Sequence, residues 1–151
     1  MGNLVENEPM KEFHGAKMAL ISDRHVLTLL RDDLATIPFP DMWDFPGGGR
    51  EGNETPQDCV LRELYEEFGL RVKTQDLIYQ NSRDGVLPGQ PKIWFFGAVL
   101  DELDPRQIRF GNEGQRWEMM PVKTYLAHPK AISHLQDGLR GFLAHLGCSD
   151  R

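Results

Sequence analysis

The sequence has no apolar run of the roughly 20 residues that a helix needs to cross a bilayer. Its longest, Ile93 to Leu100, is less than half of that, so no membrane span is expected. The N-terminus, Met1 to Lys11, carries Glu6, Glu8 and Pro9 and lacks the basic start and apolar stretch of a secretory signal, which points to the cytoplasm. Cysteine is scarce. Cys59 and Cys148 lie far apart with no Cys-x-x-Cys spacing, so neither a disulfide framework nor a zinc site is expected. Cys59, set among apolar residues, reads as a small buried side chain. A basic surplus is missing too: the net charge of -6 argues against broad, sequence-independent nucleic-acid binding, which relies on cations to neutralise phosphates. There is no internal repeat and no low-complexity segment.

What is present suits one globular unit. With 151 residues, 40% of them hydrophobic, the chain can bury one good core and is too short for two ordinary ones. A single domain over 1–151 is expected, with 1–12 a flexible or strand-like extension. Ala16 to Ile21 and His25 to Leu30 read as paired strands around the turn Ser22-Asp23-Arg24, and Arg31 to Asp41 reads as a loop. Trp43-Asp44-Phe45 reads as a short strand that ends in the turn Pro46-Gly47-Gly48-Gly49. Leu77 to Gln80, Ile93 to Leu100 and Gln115 to Met120 read as further strands, with a loop from Arg83 to Pro91. Ala131 to Leu146 reads as a C-terminal amphipathic helix. Strands before and after a central helix, with a second helix at the end, suggest a mixed sheet covered on both faces.

The central helix is the informative element. From Thr55 to Phe68 the apolar residues Val60, Leu61, Leu64, Tyr65 and Phe68 recur at helical spacing. Thr55 suits the N-cap, Pro56 the first turn and Gly69 the C-terminal exit. With Glu63 at 0° on the helical wheel, Glu66 falls at about -60° and Glu67 at about +40°, so these carboxylates share one face opposite the apolar side. Like charges at that spacing repel. A hard divalent cation removes the repulsion, because Mg²⁺ takes oxygen ligands from carboxylates, waters and phosphates. Arg62 stands four residues from both Asp58 and Glu66 and is placed to orient carboxylates. The bland alternative is a solvated acidic face. The glycine run just upstream weighs against it, since glycines leave backbone groups open to an ion or phosphate.

Gly48, five residues, Glu54, seven residues, then Arg62-Glu63-Leu64-Tyr65-Glu66-Glu67-Phe68-Gly69-Leu70 resembles the Nudix box at every defined position. Trp43 to Gly48 is similar to the strand and loop that precede the box in that family. The resemblance implies an α/β fold, an α/β/α sandwich with a mixed β-sheet. It also implies Mg²⁺ (with Mn²⁺ as a substitute) bound by the Gly48 carbonyl, Glu63, Glu66 and Glu67, and a salt bridge from Glu54 to Arg62 that supports the box together with Gly69. The implied reaction is hydrolysis of a diphosphate linkage in a small nucleotide-like substrate by a metal-activated water. The base is Glu63 or a carboxylate from a later loop, Glu113 being preferred to Glu118. Arg50, Arg83, Lys92 and Arg116 are the phosphate-binding candidates.

The box leaves the substrate open. Trp43, Trp94, Phe95, Phe96 and Trp117 either stack on a base or fill the core. No signature of NADH or coenzyme A pyrophosphatases is visible, which leans toward a nucleoside triphosphate or related small nucleotide, in the MutT-like manner. The alternatives are a catalytically silent Nudix sensor, which loss of a box carboxylate would mark, and an RNA 5′-end pyrophosphohydrolase. No stable nucleic-acid partner is expected, and a homodimer is the commonest assembly for such a chain.

Overall fold

The computed structural model describes residues 12–85, 89 and 91–147. Cys148, most of the 1–12 extension and part of the Arg83–Pro91 loop lie outside these. Strands β1 (Phe13–Ser22) and β2 (His25–Leu30) form a hairpin that pairs only at its closed end, Ile21 with Val26 and Ser22 with His25. Asp23 and Arg24 turn it with positive φ, 49° and 61°. Below the turn the strands diverge, and the chain from Trp43 to Gly49 fills the fork. Within it, β3 (Trp43–Asp44) pairs with β2 and β4 (Gly47–Gly49) pairs with β1.

The glycine run, expected to be a turn, is therefore a strand, and the absence of side chains is the reason. A Cβ on Gly47 would lie 2.7 Å from Lys17 Cα, and one on Gly15 would lie 3.2 Å from the Gly48 carbonyl carbon. On the other edge of β1, β6 (Lys92–Val99) runs parallel and carries β5 (Tyr79–Arg83) antiparallel, while β7 (Arg116–Pro121) closes the far edge of β2. The Leu77–Gln80 expectation falls a few residues early, because a 3-10 turn at Thr74–Asp76 delays the start of pairing to Tyr79.

Helix α1 (Pro56–Phe68) covers one face of this mixed sheet. Val60, Leu64 and Phe68 pack there with Met18, Leu20, Leu27 and Phe96. Helices α2 (Val122–Ala127) and α3 (Ser133–His145) cover the other, where Tyr125, Leu135, Leu139 and Phe142 meet Ala19, Val26 and Phe95. The sequence reading missed α2, whose six residues are too few for periodicity to register. None of the described helices is long and apolar enough to cross a membrane.

Helix α1 is firmly bounded. Thr55 accepts from the Asp58 amide and Asp58 accepts from the Thr55 amide, a reciprocal cap, while Gly69 exits in the left-handed conformation at φ 67°. This cap occupies Asp58, so Asp58 does not serve as the partner for Arg62 that the four-residue spacing allowed. Tyr65, expected on the apolar side, is 47% exposed with the Arg71 guanidinium 4.0 Å over its ring; it lies at the margin of the buried stripe, where a cation covers the ring instead of the core.

Candidate active site

The fork in the sheet and the acidic side of α1 converge on β4. Glu67, partly buried, accepts a 2.9 Å hydrogen bond from the Gly47 amide. Glu63 reaches the next residue, and a Cβ on Gly48 would lie 2.6 Å from its Cδ. That position must therefore be glycine for the carboxylate to stand there. Glu66 points further out, with its side chain 53% exposed against 17% for Glu63. The three carboxylates do not close on one point. Among the described residues no group of three His, Cys, Asp or Glu has ready-made metal geometry, because Glu67 is turned to the Gly47 amide and Glu66 to Arg62.

Arg62 organises the helix side. Its Nε and Nη2 donate to the two Glu54 carboxylate oxygens at 2.6 and 3.0 Å, Nη2 also donates to the Gly49 carbonyl at 2.9 Å, and Nη1 donates to Glu66 at 3.1 Å. A single guanidinium thus ties the turn before α1, the end of β4 and the acidic face together, the planar multi-donor task for which arginine is suited. Glu54 in turn accepts from the Glu51 amide at 2.8 Å. The hydrogen bond from Arg62 holds the Glu54 carboxyl below the usual carboxylate range.

Burial sets the electrostatics of the other carboxylates. It pushes Glu67 up to about 8, against the opposing pull of Lys17 and the Gly47 amide. Glu63 is also raised, first by burial and then by Glu66 and Glu113 against the pull of Arg62. A carboxylate held this way requires either a proton or a cation. The donors at hand, two carboxylates that meet a glycine strand from one helix, are the hard oxygen ligands that Mg²⁺ prefers. The residues fit that ion. The Cys59 thiol, buried and pushed up to about 11 by desolvation, lies 3.5 Å from the Gly48 carbonyl oxygen.

Glu113 and Glu118 are separated by the sheet. In β7, Glu118 faces Thr28, whereas Trp117 and Met119 point to the α1 face, so Glu118 lies on the side of α2 and α3. The loop bearing Glu113 instead docks on the C-terminal end of α1, where the Arg109 amide donates to the Phe68 carbonyl and the Gly111 amide to the Glu67 carbonyl, both at 2.9 Å. Its charge acts on Glu63.

Of the phosphate candidates, Arg83 lines a cavity of 170 Å³ beside β5 and β6. Arg50 stays next to the box, donating to the Glu54 carbonyl at 3.0 Å and covering Phe13. Lys92 pairs with Asp84 at 3.4 Å, and Arg116 sits 5.1 Å over the Trp43 ring, so neither joins the carboxylates. Trp43, Phe95 and Phe96 are core residues; Trp94 and Trp117 pack against the core on the α1 face.

Sequence reasoning passed over the residues of the fork itself. Asp44, buried, accepts from Lys17 Nζ and Arg31 Nη1, both at 2.9 Å, and from the Phe45 amide at 2.7 Å. Lys17 also donates to the Gly47 carbonyl at 3.3 Å. A lone lysine inside an otherwise apolar strand is the one signal that could have marked this triad.

The comparisons with known proteins agree with this architecture. Residues 13–139 match the NUDIX domain. The chain is 33% identical over 117 residues to the RNA pyrophosphohydrolase of Hydrogenovibrio crunogenus, covering 64% of this chain and 71% of that protein. It is 39% identical over 62 residues to the 8-oxo-dGTP diphosphatase of Proteus vulgaris, covering 41% of this chain and 54% of the relative. The fold is shared with the MutT protein of Methanosarcina mazei at a TM-score of 0.68 and 16% identity, over 90% of this chain and 96% of that one. An unbroken box on an α/β/α sandwich, matched over most of the chain, makes this protein a member of the NUDIX domain family, the Nudix hydrolases.

Proposed function

We propose that this chain hydrolyses the diphosphate linkage of a nucleoside 5′-triphosphate or a related small nucleotide, with Mg²⁺ held by Glu63, Glu66, Glu67 and the Gly48 carbonyl. The observation that carries the reading is the placement of two carboxylates from one helix, Glu63 and Glu67, against successive residues of a glycine strand, Gly48 and Gly47. A divalent cation bound there supplies Lewis-acid polarisation of the phosphoryl oxygens.

The chain's own residues supply the rest. Arg62 fixes the orientation of Glu66 and holds the end of β4. Glu63 or Glu113 accepts the proton of the attacking water as its oxygen bonds to phosphorus and the bridging P–O bond breaks, the leaving phosphate departing as an anion. Burial raises the Glu63 pKa above the usual carboxylate range, the direction that strengthens a carboxylate as a base. The intact set of box carboxylates speaks against a silent sensor.

A second reading is favoured by one specific observation, the 33% identity to an RNA pyrophosphohydrolase. There the same triphosphate chemistry acts on the 5′ end of an RNA. The test is phosphate release, with pyrophosphatase coupling, with and without Mg²⁺, from canonical and oxidised nucleoside triphosphates, dinucleoside polyphosphates, ADP-ribose and 5′-triphosphorylated RNA. Mg²⁺-dependent turnover of free nucleotides is expected. Turnover confined to RNA selects the second reading, and none on any substrate overturns both.

A further inference from the structure

On the α3 face of the fork, a cavity of 590 Å³ opens directly beside Gly48 and Gly49. That volume falls in the range of about 300–1,000 Å³ typical of small-molecule sites, whereas the adjoining space at Arg83, 170 Å³, does not. Its walls include Ile93 and Ile132, Phe39 of the loop after β2 and His134 at the start of α3, with the Lys17–Arg31–Asp44 cluster of the fork lining it as well.

We propose that this cavity takes the nucleobase of the substrate and that Phe39, with His134, is the aromatic wall on which the base stacks. The assignment rests on the reading above only in placing the phosphates at β4. Among the described residues Phe39 is one of five large apolar side chains left exposed, at 36%, and it lines the cavity with its ring centroid 5.7 Å from that of His134 at 57°. Both rings line the same cavity at that tilt. Burial and the nearby Arg83 depress the His134 pKa, which favours the uncharged ring.

The loop is built to hold this pose. Phe39 and Asp41 both have left-handed φ, 52° and 57°, a conformation that costs a non-glycine residue energy and persists where surrounding contacts over-determine it. Those contacts are present: Arg31 Nε donates to the Pro38 carbonyl at 2.9 Å, and Asp41 accepts from Lys130 and from Gln115, both at 2.8 Å. Arg31 also clamps Asp44, so one side chain couples the aromatic loop to the fork that carries β4. Recognition through a π face suits any base, and a base stacked on an aromatic side chain gains about tenfold or more in affinity.

The test compares binding of AMP, GMP, CMP and ribose 5-phosphate by calorimetry in EDTA, for the wild type, Phe39→Ala and Phe39→Trp. The mononucleotides should bind at least about tenfold more tightly than ribose 5-phosphate. Phe39→Ala should erase the difference and Phe39→Trp should keep it, which also shows that the loop tolerates substitution. Equal binding of AMP and ribose 5-phosphate, or a base advantage that survives Phe39→Ala, would overturn the assignment. Binding in EDTA is independent of turnover, so a failure of hydrolysis counts against the proposed function and leaves this result standing.

Discussion

Arg62 and Glu54 are joined fork to fork, Nε to Oε2 at 2.6 Å and Nη2 to Oε1 at 3.0 Å, across the turn that leads from β4 into α1. Both side chains are about four-fifths shielded, at 20% and 18% exposure, so solvent screens the pair less than a surface bridge. Glu54→Gln should cost about 1.5–3 kcal/mol, the range for hydrogen bonds to charged groups, measured by urea unfolding. The pH sign follows from the depressed Glu54 pKa. Its contribution is present above the unfolded carboxylate range, about 4.3, and is lost as pH falls below it. The gap between wild type and Glu54→Gln should therefore close in acid, and a gap that persists there would contradict the assignment.

Glu67, raised to about 8 by burial, should make the metal-free protein lose stability as pH rises. A raised folded pKa contributes fully below the unfolded value and is lost on approach to the folded one. In EDTA the melting temperature should drop between about pH 4.5 and 8. Glu67→Gln should lessen that drop, leaving the share that the raised Glu63 contributes, and melt higher than the wild type at pH 8, by roughly 5 °C. The same variant should lose most Mg²⁺-dependent turnover while remaining folded. Near-wild-type turnover would sink the metal assignment.

Gly48→Ala tests the close approach of helix and strand. The backbone at Gly48 does not have positive φ, so alanine is allowed there in itself, but its Cβ would overlap the Glu63 carboxylate. The expected result is a folded protein with turnover down by about 10²-fold, the scale on which small misplacements act in catalysis. Gly49→Ala, which meets nothing within 4 Å, should stay within a few-fold of wild type. Similar losses in both would point to backbone effects instead.

The two later carboxylates can be told apart by the pH dependence of kcat. Glu113→Gln should lower kcat by about 10²-fold or more if Glu113 is the base, and the acidic limb of the profile should shift. Glu118→Gln, on the opposite face of the sheet, should leave both unchanged. A loss confined to Glu118→Gln would reverse the assignment.

Much of this was legible in the sequence because it is local. A cap at Thr55, an exit at Gly69 and a 3.6-residue period fix α1 within one stretch of chain, and the same period places Glu63, Glu66 and Glu67 on one side of it. Runs of apolar, β-compatible side chains also located β1, β2 and β6, which are buried or half-buried along most of their length. Local pattern failed at Tyr65, at the margin of the buried stripe, and at the glycine run, where the partner strand decides the conformation.

The sequence by itself determined the helix, its acidic face and the box that marks the family, whose resemblance implied the tie from Arg62 to Glu54. Only the tertiary structure decided that β1 and β2 splay to admit β4, that Glu63 and Glu67 meet it from α1, and that Glu118 falls on the wrong side of the sheet. It alone brought Lys17, Arg31 and Asp44 together and set Phe39 beside His134, residues 95 apart in the chain. The reason is physical. Helical and strand periods are properties of neighbouring residues, whereas a cavity wall is made by whichever distant segments bury their apolar surface against the same sheet, and no local pattern records that choice.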